Sequence, residues 1–468
     1  MREAGKSDRI QVFNYGRGIP MKRSLTFKET IAITSMLFGM FFGAGNLIFP
    51  AKLGIDAGSS IWSAFFGVFV TAVGIPMLAV VALGLSRSEG VVELSGRVSK
   101  NYSLFFCTLL YLTIGPLFAI PRCASTAFSV GAVKLLPGGH EGLFLALFSL
   151  VFFAATLYFS LKPGGIMTWI GKWLNPVFLL FLAVLVVAAL LRPVTGVSAV
   201  TPAAGYETAG GAFFRGFLEG YNTLDALAGL AFGIVVIDVV RSHGIQQPED
   251  IASNTAKAGI FSCLFMGLIY LFIILICAQS APICDGAANG GEVLGLIADH
   301  YFSAAGSVLL TAIVTFACLK TAIGLVTSCS KAFVDMFPKG PGYNLWAVIF
   351  SVVSFGIANF GLSSIVAWCV PVLMFLYPLA ITLVLLALFG KAFGNRKGVY
   401  VWTTAFTLVA AVFDMIGAVS GMVPGNALLR GLTGFAGKVL PLYSLGLGWV
   451  CPAAIGCILG LIVSRKEQ

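Results

Sequence analysis

Apolar residues run along this chain in stretches near the roughly 20 residues that a helix needs to cross a bilayer. They cover residues 28–50, 60–86, 102–131, 142–161, 173–192, 212–240, 255–279, 303–330, 344–361, 364–390, 399–420 and 440–463. Short polar connections separate them. The pattern predicts an all-α polytopic membrane protein of about 12 transmembrane helices. The longest connection on the non-cytoplasmic side, 281–302, is glycine-rich and reads as a plain connector or a lid.

Two stretches carry defects that a membrane helix should avoid. In the first, Phe41-Phe42-Gly43-Ala44-Gly45-Asn46 is followed by Pro50. Each glycine weakens a helix by about 1 kcal/mol relative to alanine, and proline removes a donor. Lipid offers no partner for the backbone groups so freed, so the break must face protein, water, an ion or a substrate. The sixth stretch holds Gly216, Glu219, Gly220, Tyr221, Asn222, Thr223 and Asp225 at membrane depth. Defects five stretches apart are what an inverted five-plus-five repeat produces, and paired interrupted helices point to a transporter's central site. The expected organisation is an N-terminal tail (1–27), a first five-helix repeat (28–192), an inverted second repeat (206–390), two accessory helices (399–463) and a short tail (464–468).

Composition narrows the function classes. The 468 residues are 58% hydrophobic and only 10% charged, with a mean hydropathy of +0.97, which excludes an ordinary soluble enzyme. The net charge of +10 is topology rather than a nucleic-acid footprint. Lys22, Arg23, Arg87, Arg97, Lys391, Arg396 and Lys397 lie on the side that holds both ends, so both termini are expected in the cytoplasm. No signal peptide is visible, and Met21 is as plausible a start as Met1. The ten cysteines form no CxxC pair, and with three histidines no zinc or haem site is expected. No Walker loop, HExxH or GxSxG is present, and Gly43-x-Gly45 follows no strand, so neither an enzyme nor a cofactor is expected.

Four motifs together resemble the bacterial branched-chain amino acid:cation symporters of the BrnQ type. They are Phe41 to Pro50, Ile114 to Arg122, Phe217-Leu218-Glu219-Gly220-Tyr221 with Asp225 to Ala228, and Cys318 to Leu325. The resemblance implies a leucine-transporter-like fold in the inner membrane, with an amino acid held between the first, third, sixth and eighth helices. It also implies Na⁺ as the usual coupling ion, H⁺ being the other candidate. The chain departs from the family pattern at Ser129, where a glutamate is expected, and at Lys320, where a threonine paired with Thr321 would hold sodium.

An amino acid needs three surfaces. Its carboxylate suits the amides of the half-helix starting near Gly45 and Asn46, where partial positive charge collects. Its ammonium suits carbonyls near Phe41–Gly43 and the Gly216–Gly220 segment; its side chain needs apolar walls. Phe41, Phe42, Gly43, Ala44, Gly45, Asn46, Gly216, Glu219, Gly220 and Tyr221 are the candidate substrate residues. For the glycines the competing reading is close helix packing; for Asn46 it is a bond to a neighbouring helix.

Arg122, Glu219 and Asp225 form a candidate internal charge network. Arg122 is expected to pair with Glu219, the substrate being the other partner. Lys320, with Phe42, Thr321 and Gly324, is the candidate ion site or ion substitute. Its ammonium could stand in for the cation, carry a proton, or pair with Glu219 or Asp225. A buried lysine is costly in a membrane and needs such a setting. Asp414, outside the repeats, suits packing or an oligomer contact. Oligomeric state and the preferred apolar amino acid are not legible.

Overall fold

The computed structural model describes residues 22–43, 45–131, 139–162 and 166–464, without the side chains of 166–176, 178, 304, 305 and 307. Ala44, most of the N-terminal tail and the last four residues lie outside the described residues.

Helices account for all the regular structure among those residues. The first stretch is split into α1 (Phe27–Phe41) and α2 (Gly45–Ala57). The second forms α3 (Ile61–Phe69) and α4 (Ile75–Ser86), joined through a π-turn; α5 (Val91–Gly96) is a short connector. The third is α6 (Lys100–Leu112) and α7 (Ala119–Val130), kinked at Gly115 and Pro116. Then come α8 (Glu141–Leu161), α9 (Ile166–Leu191) and the bent pair α10 (Ala209–Glu219) and α11 (Asp225–Ser242). The chain continues through α12 (Pro248–Gln279), α13 (Gly290–Met336), α14 (Tyr343–Ala358) and α15 (Leu362–Leu388). It ends with α16 (Lys397–Met422), α17 (Ala427–Val439) and α18 (Val450–Val463). Every one of the twelve apolar stretches coincides with a helix or helix pair. Among the described residues, seven continuous helical runs, two of them spanning α2–α4 and α6–α7, are long and apolar enough to cross a membrane, and α10 with α11, bent by 47°, makes an eighth.

The surface follows from lipid as solvent. On α12, Ile260, Leu264 and Leu268 recur every fourth residue and are about half exposed, while Tyr270, Ile273, Ile274 and Cys277 are fully buried. One stripe meets lipid and the other meets protein. With no hydrophobic drive between helices in lipid, small residues that let backbones approach decide the packing. At the α3–α10 crossing, a Cβ on Gly67 would meet the Phe213 carbonyl, and one on Gly216 would meet the Ala64 carbonyl. Thr71 locks the same crossing by donating to the Phe217 carbonyl at 2.7 Å.

Two local expectations are corrected. Pro50 does not end a helix: it sits inside α2, and the break lies earlier, between Phe41 and Gly45. A proline in the second turn removes one intrahelical bond, the one to the carbonyl of Asn46, and α2 continues beyond it. The 281–302 connection is largely helical, because Asn289 caps α13. Its Oδ1 accepts from the amides of Gly291 and Glu292 at 3.0 and 3.1 Å, and Glu292 accepts in return from the Ala288 amide at 2.8 Å. The helix turns only at Ser303 (φ 55°) before continuing as the eighth stretch.

Candidate functional site

Both breaks meet at the centre of the molecule. Asn46, on the first turn of α2, ties them. Its Oδ1 accepts from the Gly43 amide at 2.8 Å, closing the first break on itself. Its Nδ2 donates at 2.6 Å to the Asp225 carboxylate on α11 and lies 2.6 Å from the Tyr270 hydroxyl on α12. Asn46 and Asp225 are 1% and 4% exposed, and Tyr270 is fully buried. A carboxylate at the first residue of a helix is well placed against the partial positive charge there. Asp225 therefore stabilises α11 while holding α2 through Asn46.

The second break is built differently. A 3₁₀ turn, Gly220–Thr223, leads to Leu224 with a left-handed backbone (φ 66°). Such a conformation costs an L-residue about 1–2 kcal/mol. Leu224 is 3% exposed, and burial of its side chain offsets that cost.

Arg122, on the first turn of α7, reaches between the breaks. It donates to the Asn222 carbonyl at 2.6 Å and lies over the Phe49 ring at 4.9 Å. A Cβ on Gly45 would stand 2.9 Å from its guanidinium. Glycine at 45 thus makes room for a cation at the N-terminus of α2. Two sources of positive potential converge there, and both attract an anion. The expected pairing of Arg122 with Glu219 is corrected: Arg122 takes the exposed carbonyl of the second break instead. Glu219 accepts from the Asn222 side chain at 3.2 Å.

A cavity of about 80 Å³ lies at this junction. Phe41, Phe42, Gly43, Gly45, Asn46, Arg122, Asp225 and Thr321 line it, all expected from the sequence. Gly216, Glu219, Gly220 and Tyr221 do not. Gly216 and Gly220 pack against α3 and against Thr71. Tyr221 is buried in a stack with Tyr377, ring centroids 4.1 Å apart. Glu219 turns to a different, larger cavity. The apolar walls that sequence reasoning left unassigned are Met40, Ile114, Ala119, Ala228, Phe232 and Leu325. Ile114 and Ala119 flank the Gly115–Pro116 kink, which was the available signal.

Lys320 is half-buried on α13 and, with Thr321, Phe42 and Gly43, lines a second pocket behind the first break. Thr321 donates to the Ala317 carbonyl at 3.1 Å. Gly324 lines neither pocket. Asp238 is exposed and pairs with Arg241 at 3.2 Å, away from the site.

Broken helices meeting at a central polar junction define a leucine-transporter-like membrane transporter. Solved structures agree on the fold. Mhp1, a nucleobase-cation-symport-1 family transporter in a closed conformation with bromovinylhydantoin bound, is 15% identical, with a TM-score of 0.58 over 93% of this chain and 92% of that one. A manganese transporter from Eremococcus coleocola gives 0.55 over 96% and 99%, at 14% identity. The chain belongs to the family described as "Branched-chain amino acid transport protein", whose model matches residues 26–467. Among similar proteins, the branched-chain amino acid permease BrnQ of Lactobacillus delbrueckii subsp. lactis is 51% identical, over 96% of this chain and all of its own length. The permease BraB of Bacillus subtilis is 38% identical over 95% and 97%.

Proposed function

We propose that this protein imports branched-chain amino acids, leucine, isoleucine and valine, with methionine a similarly sized candidate, by alternating access across a bacterial inner membrane. Both termini would face the cytoplasm. The names of its relatives support the substrate class. The observation that carries the reading is the Arg122 guanidinium beside Gly45 at the start of α2. A substrate carboxylate would bind at that point. The ammonium would face carbonyls freed at the end of α1, and the aliphatic chain would lie against Ile114, Ala228 and Phe232. The cavity's 80 Å³ is well under the roughly 300 Å³ at which ligand clefts begin. Uptake would therefore require the broken helices to move against α7 and α13, opening one side at a time. The spans that carry the two breaks are the bodies that would rock against the third and eighth spans and their neighbours.

Coupling to a cation, Na⁺ or H⁺, is the leading mechanism. A Na⁺-independent carrier, proton-coupled or exchanging, is the second reading. It is favoured by Lys320 standing with Thr321 at the pocket behind Gly43, where its ammonium would supply the cation's charge permanently. Radiolabelled leucine uptake into proteoliposomes tests both, with choline replacing sodium and with or without a pH gradient. Saturable uptake competed by isoleucine and valine is expected. A sharp sodium requirement removes the second reading, and absence of saturable leucine uptake removes the first.

A further inference from the structure

A cavity larger than the central one lies elsewhere in the molecule. About 700 Å³ in volume, it lies between α10, α15, α16 and the α17–α18 connection, on the side that the Lys and Arg pattern assigns to the exterior. Glu219, Tyr221 and Asn222 border it, so it abuts the second break directly.

Its chemistry is that of a receptor for a zwitterion. Arg215 and Glu219 both line it, four residues apart on α10. That spacing puts a cationic and an anionic side chain on one helix face, with Cβ atoms roughly 6 Å apart. Across the cavity stands Asp414, 3% exposed, with neither carboxylate oxygen accepting a hydrogen bond of good geometry. The backbone amides of Gly448 and Trp449 lie alongside it. A buried acid so weakly satisfied calls for a missing partner. The remaining wall is apolar, formed by Phe214, Leu218, Val370, Leu373 and Met374. Asp414, for which the sequence suggested packing or an oligomer contact, lines this cavity.

We propose that this cavity is a second amino acid site, in series with the central one, which holds the substrate's ammonium between Glu219 and Asp414, its carboxylate at Arg215 and its aliphatic chain against Met374 and Val370. Gly446 fits this arrangement. Its left-handed backbone (φ +70°) brings the α17–α18 connection onto Leu218 and Met374, where a Cβ would stand 2.7 and 3.2 Å from their side chains. That connection forms one wall of the cavity.

The proposal rests on the substrate reading above, and one experiment separates the two. Binding of radiolabelled leucine to the purified full-length protein in lipid nanodiscs is measured to saturation. Two leucines per chain are expected for the wild type, one for Asp414→Asn, one for Met374→Trp, and one for Asn46→Leu, which disables the central site alone. The leucine retained by each variant reports that it is folded, and Met374→Trp decides the matter if Asp414→Asn misfolds. One leucine per chain in the wild type, or two in both cavity variants, overturns the second site while leaving the substrate reading intact. No leucine bound by the wild type overturns both.

Discussion

The two breaks at the centre of this protein solve one problem by opposite means. The first, between Phe41 and Gly45, is made by small residues and closed by a side chain: the Gly43 amide donates to Asn46 Oδ1, and the Asn46 amide donates to the Gly43 carbonyl at 3.2 Å. The second has no glycine at its strained position. Leu224 holds a left-handed backbone with its side chain buried. The first break is written into local sequence, whereas the second is imposed by packing.

Substitutions can break or sharpen that contrast. The largest effect is expected at Gly45. A side chain there displaces the Arg122 guanidinium, and overpacking of this kind costs about 1–3 kcal/mol, equivalent to a loss of up to about a hundredfold. Gly45→Leu should abolish leucine uptake while leaving membrane insertion intact, as judged by expression level and gel filtration. Sustained uptake would refute the close approach.

Asn46→Leu comes next. It removes the tie between the breaks, including a hydrogen bond to a carboxylate of the class that contributes about 1.5–3 kcal/mol. At least tenfold slower uptake is expected, measured at equal protein in vesicles. Asn46→Asp would leave two acids facing each other at Asp225 and should rescue nothing.

Leu224→Gly tests the second break by stability. Relief of the backbone gains about 1–2 kcal/mol, but loss of a buried leucine costs about 2–5 kcal/mol. Burial wins, so a net loss of about 1–3 kcal/mol is expected, seen as a lower melting temperature in detergent. A rise would mean that the side chain contributes little. Thr71→Val is milder. It deletes the bond to the Phe217 carbonyl at the α3–α10 crossing, for about 1 kcal/mol, and the melting temperature should fall slightly.

Gly43→Ala completes the series with almost no effect. A Cβ there meets only Thr321 and Asn46 side-chain atoms at 3.7–3.8 Å, ordinary van der Waals contact. Uptake should stay within about twofold of wild type, because every contact is relieved without repacking. A large loss would show that Gly43 is needed as a hinge rather than for space.

The sequence made the two glycines look alike; only the placement of Arg122 separates them. Much of the site was nonetheless legible. Phe41, Phe42, Gly43, Gly45, Asn46, Arg122, Asp225 and Thr321 line the central cavity because polar groups and helix breakers at membrane depth have few other reasons to exist. Gly216, Gly220 and Tyr221 carried the same signal for another cause, helix crossing and ring stacking. Glu219 was read as central and faces the neighbouring cavity, since one helical turn in an unwound segment changes which side a residue addresses.

What the chain's own order determined is the number and character of its apolar stretches, the membrane as its solvent and which two stretches carry polar and helix-breaking residues at membrane depth. Those follow from local hydropathy and from the cost of unpaired peptide groups in lipid. Contacts between distant helices decided the rest. Arg122 settled on the Asn222 carbonyl rather than on an acid, Asn46 on Asp225 across 179 positions of chain, and Asp414 on a cavity wall. A side chain's partner is set by which backbones can approach closely, and that is a property of glycines on two helices at once.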